Sequence, residues 1–462
     1  MTTMTATAVP DVHRRLRATP RWWPGAGATA AGLSLLIVTA LWVSNGGITD
    51  LTSGDAFTAI GRLTGLYASD LLLLQVLLMA RIPLVEKSFG QDRLARWHRW
   101  TGFSSFWLMM LHIVTITTGY AVGGNWFAEL WNLILTYPGM LLAAAGTVAL
   151  LMVVVTSIRA ARRRMRYESW HLLHLYAYLG VGLALPHQIW AGEDFTGTAW
   201  ARAYWWTLYL AAAGAVIAYR IGLPLLRNRR HRLTVSHVVA EAPGLTSVHL
   251  SGEKLAELPV RAGQFFHWRF LDGRGWSRAN PFSLSSTPGG DMLRITVKNQ
   301  GDGSSRMASL KPGTRVLIEG PFGKLTGEDY SGEPVVLMAC GVGITPLLSL
   351  LGELPYRDGG ATLIYRARTA DELAFRGELE WYESRRGVRV VPLTGPRARR
   401  TSWLPAELAG NGDADALRRV APDIADSRVY ICGPEEWAAA ARAAAIEAGA
   451  RPDRVHTELF AW

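Results

Sequence analysis

The chain has 462 residues, 48 Lys+Arg against 37 Asp+Glu, and 18% charged residues. At roughly 150 residues per domain that is chain for about three domains, and 49% hydrophobic residues with a mean hydropathy of +0.13 exclude a disordered protein and argue against an ordinary soluble one. Two cysteines, Cys340 and Cys432, cannot build a disulfide framework, a four-cysteine iron–sulfur cluster or an all-cysteine zinc site, and the absence of C-x-x-C-H excludes covalent c-type haem.

A basic tail, 1–24, precedes six apolar runs at about 25–45, 60–80, 99–119, 138–158, 168–189 and 203–225. Each is about 20 residues, enough to cross a hydrocarbon core of about 30 Å. The first lacks a persuasive cleavage site and reads as an anchor, not a removed signal peptide. Charges between the runs alternate. Arg14, Arg15, Arg17 and Arg21 precede the first; Arg81, Lys87, Arg93 and Arg96 separate the second from the third. Arg159, Arg162, Arg163, Arg164 and Arg166 separate the fourth from the fifth, and Arg227, Arg229, Arg230 and Arg232 follow the sixth. The other three loops carry Asp50, Asp55, Glu129, Glu193 and Asp194. The positive-inside rule then predicts a multi-pass plasma-membrane protein with both termini cytoplasmic. The net charge of +11 is mostly topology, so membrane lipid is an expected partner and nucleic acid is not.

Five of the 11 histidines fall in or at the edge of two of these runs: His98 and His112 at the third, His171, His174 and His187 at the fifth. Ionisable side chains in a bilayer are costly and usually functional. Both runs start on the same side, so their early histidines share one depth and their late ones another. His98 to His112 spans about 21 Å of helix and His174 to His187 about 19 Å. Two transverse pairs at two depths are what two bis-histidine b-type haems require, with His98, His112, His174 and His187 as iron ligands. Thirteen residues leave His187 about 140° from the His174 face of an ideal helix; Pro186 and the glycines Gly180 and Gly182 are expected to bend the helix. His171 is the alternative to His174.

From about residue 233 the composition becomes that of a soluble α/β protein. Segments 233–240, 246–250, 264–270 and 292–298 read as strands of a small antiparallel barrel. Pro334–Cys340 reads as a buried strand running into Gly341-Val342-Gly343-Ile344-Thr345-Pro346 and a helix from Leu347. Strand, glycine turn and helix N-terminus form a pyrophosphate cradle.

Upstream stands Asn280-Pro281-Phe282-Ser283-Leu284-Ser285-Ser286; one strand later comes Gly301-Asp302-Gly303-Ser304-Ser305; Cys432-Gly433-Pro434 follows a late strand, and the chain ends Glu458-Leu459-Phe460-Ala461-Trp462. In this order, over about 230 residues, these elements resemble the ferredoxin–NADP reductase superfamily. Joined to six spans with paired histidines, the whole resembles the ferric reductase and NADPH oxidase family. The implied fold is a membrane all-α six-helix bundle (25–226) followed by a soluble antiparallel β-barrel FAD domain (230–328) and an α/β nucleotide-binding domain (332–462).

The resemblance also implies roles. Asn280, Pro281, Phe282, Ser283 and Leu284 look like the flavin-binding strand, with Phe282 against the isoalloxazine and Ser283 near its reactive nitrogen. Thr296, Val297 and Lys298, with Gly303, Ser304 and Ser305, look like contacts to the rest of FAD. Gly341, Gly343, Thr345 and Pro346, with Cys432, Gly433 and Pro434, look like the nicotinamide-nucleotide site. Phe460 resembles the aromatic that covers the flavin, with Trp462 as its substitute. Ser283, Cys432 and Phe460 are thus the residues expected nearest the chemistry. Asn280 departs from the soluble reductases, which have Arg there, and Arg278, Arg294 and Arg306 are the available replacements. Arg366 and Arg368 follow the strand 361–365 where a 2′-phosphate would lie, favouring NADPH over the alternative, NADH.

The implied activity is transmembrane transfer of electrons from cytosolic NADPH through FAD and two b-type haems. The expected acceptor is a small extracytoplasmic one, a ferric or cupric chelate or dioxygen, with Arg202 the main outer cation. The alternative is an electron-donating subunit for a separate extracytoplasmic redox partner or quinone.

Overall fold

The computed structural model describes residues 23–165, 167–273, 278–408, 410 and 412–459. The chain forms two compact units that meet in sequence between Leu223 and Pro224.

The first unit is helical. Its long helices are α1 (Trp23–Ser44), α2 (Ala56–Leu78), α3 (Gln91–Tyr120), α4 (Met140–Ser157), α5 (Tyr167–Ala191) and α6 (Ala199–Ala215), the last running through a π-helical stretch, Val216–Gly222, into a final helical segment, Leu223–His231. Five of these six are long and apolar enough to cross a membrane. The exception is α5, which is 25 residues long but diluted by His171, His174, His187 and Gln188. Helix α2 packs along α3, and α4 along α5. Glycines make these approaches close. A Cβ on Gly61 would meet the Ile116 side chain at 2.6 Å, and Cβ atoms on Gly146 and Gly180 would meet each other's carbonyl oxygens at 2.8 and 3.1 Å.

Several polar groups inside this unit are paired across helices. Asp70, fully buried, accepts from Ser34 of α1 at 2.7 Å and Tyr204 of α6 at 2.6 Å. Arg62 of α2 holds Asp194 through Nε and Nη2, both at 2.9 Å, and Asp50 through Nη1 at 2.8 Å. The segment between α3 and α4, expected to be a plain loop, contains a helix, Trp126–Thr136, started by Asn125, whose side chain accepts from the Phe127 and Ala128 amides.

The second unit opens with two three-stranded antiparallel sheets, β1 (Thr234–Ala242), β2 (Leu245–Ser251) and β5 (Met292–Lys298) in one, β4 (Asn280–Ser283), β3 (Phe265–Phe270) and β6 (Val316–Phe322) in the other. The expected closed barrel is not formed. The two sheets are joined at their seams by isolated bridges, Thr234 to Arg315 and Leu284 to Ile295, and a few backbone bonds beside them, not by a continuous ladder. The physical reason lies in β4, which is four residues long and carries Pro281, so it has neither the length nor the N–H groups to extend a ladder. The sheets still enclose one core, built around Val248, Leu250, Phe266, Trp268, Phe270 and Ile295.

The last part is a five-stranded parallel sheet in the order β11-β10-β7-β8-β9, from β7 (Val335–Cys340), β8 (Ala361–Arg366), β9 (Arg389–Leu393), β10 (Arg428–Gly433) and β11 (Val455–Leu459). Helices α7 (Ile344–Glu353) and α8 (Arg376–Arg386) cover one face, α9 (Asp413–Val420) and α10 (Glu435–Glu447) the other. Near-continuous apolar runs such as Val335–Ala339 suit strands buried on both faces.

Candidate functional site

In the helical unit three of the four candidate histidines share one construction. Nδ1 of His98 lies 3.3 Å from the Gln75 carbonyl, Nδ1 of His112 2.7 Å from the Gly61 carbonyl, and Nδ1 of His187 2.6 Å from the Ala184 carbonyl. A carbonyl only accepts, so each of these Nδ1 atoms carries the proton and each Nε2 is left with its lone pair. His174 differs, with Nδ1 3.3 Å from the Ser157 hydroxyl. Gly65 is required beside His112, because a Cβ there would stand 2.5 Å from the ring's Nδ1.

The structure brings His98 and His174 together, with ring centroids 6.0 Å apart and planes at 64°. Two imidazoles on one metal, each bonded at about 2 Å, have centroids about 6 Å apart. The ring beside His98 is that of His174. Helix α5 accommodates this with Pro186 inside it and the His187 ring hooked back to Ala184. Among the described residues no three His, Cys, Asp or Glu side chains converge on one point. The His98–His174 pair, with each ring held at its other nitrogen, therefore fits two histidine ligands on one haem iron.

In the second unit the flavin motif forms β4 and the turn after it. Strand β3 pairs with it, Phe266 opposite Phe282 and Phe265 opposite Ser283, and Trp268 Nε1 donates to the Phe282 carbonyl at 2.8 Å. Phe282 is packed in the core of the two sheets, so core packing is its evident role. Ser283 is 4% exposed and its Oγ has no partner among the described residues; the same holds for Ser286 Oγ. Orphaned buried hydroxyls cost stability unless a ligand satisfies them, so these two fit a polar cofactor edge. Behind the motif, Thr296 Oγ1 joins Ser285 at 2.8 Å and Ser247 at 2.7 Å, all three buried. Thr296 and Val297 are thus buried supports, and Lys298, at the end of β5, is the partly exposed member. Asn280 donates to the Arg278 carbonyl at 3.3 Å. Gly303, Ser304 and Ser305 fall in a single turn, Asp302–Ser305, where Ser304 Oγ accepts from the Gln300 amide at 2.8 Å. Arg306 pairs with Asp272 at 2.6 Å.

The nucleotide motifs meet at the carboxyl ends of β7 and β10. Gly341 has φ +56° and Gly343 abuts the next strand, so a Cβ there would collide with the Cys432 carbonyl oxygen and stand 3.0 Å from the Gly433 amide. The two glycine-containing motifs are therefore one surface. Thr345 Oγ1 is used within the turn, donating to the Val342 carbonyl at 2.9 Å, and Pro346 is buried in α7. Gly433 closes β10 and Pro434 caps α10. Cys432 is fully buried, and burial pushes its thiol well above the ordinary range. Burial likewise pushes Cys340 up to about 11, against the pull of Arg366. A neutral buried thiol is a packing group, not a nucleophile.

Arg366 and Arg368 part company. Arg366 is buried, donating to the Ala367 carbonyl at 2.7 Å and the Gly395 carbonyl at 2.9 Å, whereas Arg368 is exposed. Sequence reasoning missed the ties between the flavin and nucleotide motifs. Ser349 of α7 donates to the Ser286 carbonyl at 2.7 Å, and Glu353 accepts from the Ala262 amide at 2.9 Å. Arg294 pairs with Glu378 of α8 at 2.8 Å and lies over the Phe375 ring at 4.8 Å. It is occupied there, and with Ser285, rather than offered to a phosphate. Phe460 and Trp462 lie outside the described residues.

Residues 64–185 match the family described as ferric reductase like transmembrane component, and residues 337–443 match the oxidoreductase NAD-binding domain. Among curated proteins the chain is 28% identical over 232 residues to the flavohemoprotein of Bacillus subtilis, covering 48% of this chain and 56% of that one. It is 30% identical over 230 residues to the ferredoxin reductase component of 3-ketosteroid-9-alpha-monooxygenase of Mycobacterium tuberculosis, covering 48% and 62%. The chain thus spans about half the length of the flavohemoproteins it matches. Among solved structures, the FAD/NAD binding domain of Vibrio cholerae nitric oxide dioxygenase aligns with a TM-score of 0.41 and 24% identity, covering 50% of this chain and 99% of that one. A Neisseria gonorrhoeae ferredoxin NADP+ reductase with bound FAD and NADP aligns at 0.41 and 22%, covering 50% and 98%. One chain thus carries a segment similar to a ferric reductase like transmembrane component, residues 64–185, and a segment similar to an oxidoreductase NAD-binding domain, residues 337–443.

Proposed function

We propose that this protein is a transmembrane oxidoreductase of the plasma membrane, moving electrons from cytosolic NAD(P)H to a small acceptor on the opposite face, with FAD and two b-type haems as resident carriers. The observation that carries the reading is that each of the four histidines is held at Nδ1, three by carbonyls and His174 by a hydroxyl, with His98 and His174 at the spacing of two ligands on one metal. FAD, when bound, exchanges hydride with nicotinamide and single electrons with haem, which is why a flavin site is needed beside a nicotinamide site.

The chain's own residues do the positioning. The carbonyls of Gln75, Gly61 and Ala184 hold three imidazoles by Nδ1, aiming Nε2. The Ser283 hydroxyl, which has no partner among the described residues, is available to a flavin ring nitrogen. Gly343 lets backbone approach the nucleotide where any side chain would collide with Cys432. Arg368, exposed at the end of β8, is the cation for a 2′-phosphate, and Arg366 braces the strand end beneath it. Two histidines on each iron, once haem is bound, would leave no open coordination position, so the acceptor would take electrons without binding metal, and ferric or cupric chelates and dioxygen all qualify.

Proteoliposomes loaded with FAD and haem test this, with NADPH on the flavin side and a membrane-impermeant ferric chelate on the other. Steady chelate reduction stoichiometric with NADPH oxidation is expected. NADPH oxidation with no reduction across the membrane would contradict the reading and favour a missing redox partner.

A further inference from the structure

Three of the four haem-candidate histidines rest on backbone carbonyls and one rests on a hydroxyl, and that hydroxyl is itself shared. Ser157, the last residue of α4, lies 3.3 Å from His174 Nδ1 and also accepts the Trp170 indole N–H at 3.3 Å. The Trp170 ring lies against the His174 ring, centroids 4.9 Å apart at 35°, and the Arg162 guanidinium sits 4.5 Å from the centre of the Trp170 ring. None of this surrounds His98, His112 or His187, whose Nδ1 partners are carbonyls.

The chemistry of the acceptor matters because a hydrogen bond from Nδ1 pushes electron density onto Nε2. A strong acceptor makes the imidazole a better donor, which favours ferric over ferrous iron and lowers the potential of a bound haem. A backbone carbonyl is a strong acceptor with two free lone pairs. The Ser157 oxygen is weaker, and one of its lone pairs is committed to the indole, which donates and cannot accept. The Arg162 cation above the indole draws in the same direction.

We propose that Ser157 and Trp170 are positioning residues that set His174 as the least electron-donating of the four ligands, raising the potential of the His98–His174 haem so that it takes electrons readily from the flavin. The inference rests on the haem reading of the pairs. It gives opposite signs for two conservative changes. Ser157→Ala removes the acceptor, weakens His174 as a donor and raises that haem's potential. Trp170→Phe keeps the ring against His174 but frees the Ser157 lone pair, so Ser157 accepts more strongly and the potential falls. Ser157→Thr, which keeps the hydroxyl, retains the original value.

The test is an anaerobic potentiometric titration of the full-length, haem-loaded protein, following the b-haem absorption bands, for the parent and these three variants. One of two titration waves is expected to move upward in Ser157→Ala, downward in Trp170→Phe and not at all in Ser157→Thr, with the second wave unmoved throughout. Two bound haems whose waves stay fixed, or move together and in the same direction, would overturn the tuning role alone. A parent protein that binds no haem would overturn the haem reading and the tuning with it.

Discussion

The two units build their sites by opposite means. In the helical unit the functional groups are side chains, and the backbone's part is to hold them: the carbonyls of Gly61, Gln75 and Ala184 fix imidazoles that are expensive to place in a bilayer. In the second unit the candidate binding surface is the backbone itself, and the side chains nearest the motifs are largely turned inward. Cys432 and Phe282 are packed in cores, Thr345 bonds its own turn, and Gly343 matters for the atom it lacks. Substitutions should therefore act through lost ligands in one half and through lost space in the other.

The largest effect belongs to the ligands. His98→Ala should leave one haem of two and slow NADPH-driven reduction of the survivor by about tenfold or more, while His112→Ala should leave the His98–His174 haem reducible; haem content and stopped-flow absorbance read both. Equal loss in the two variants would break the assignment of pairs to separate sites. Next comes space: Gly343→Ala forces β10 and the glycine turn apart, with an expected loss of about 1–3 kcal/mol of stability and a raised KM for NADPH. An unchanged KM and unfolding temperature would show that the turn has room to give.

A smaller effect is expected at the tie between flavin and nucleotide motifs. Arg294→Met removes the Glu378 pair and the Phe375 contact, together worth about 1 kcal/mol, and should slow flavin reduction severalfold without altering haem content. The smallest is a pH dependence confined to the second unit. His249 stacks on His237 across β1 and β2, centroids 4.1 Å apart. Burial, then the charges of His237 and Arg294, lower His249 to about 4. It stays neutral when folded but takes a proton near pH 6.5 when unfolded, so its contribution is complete above about 6.5 and is lost as pH falls toward about 4. Urea unfolding across that window should show stability falling with acidity, and His249→Gln should flatten the slope.

Much of this was legible in the sequence because the signals were periodic or local. The 14-residue spacing of His98 and His112 returns to one helix face, and G-V-G-I-T-P reads directly as a turn entering a helix. What escaped notice depends on contacts distant in sequence. Ser157 is an ordinary helix-end serine until α5 brings His174 to it. Arg294 looked like a spare phosphate ligand until Glu378 arrived 84 residues later. The basic cluster after the last span was attributed to topology alone, yet Arg230 pairs with Glu257, Arg232 with Glu253 at 3.2 Å, and Arg227 bonds the Gly320 carbonyl. The barrel failed for a reason present in the sequence, Pro281 in a very short strand, whose consequence for closure only the pairing pattern reveals.

The central claim is that flavin and paired histidines form one conducting chain. Its most direct test is an anaerobic absorption spectrum of the haem-loaded, FAD-supplemented protein before and after NADPH. Growth of the reduced b-haem bands together with bleaching of the flavin is predicted. A bleached flavin beside haem that stays oxidised would contradict it.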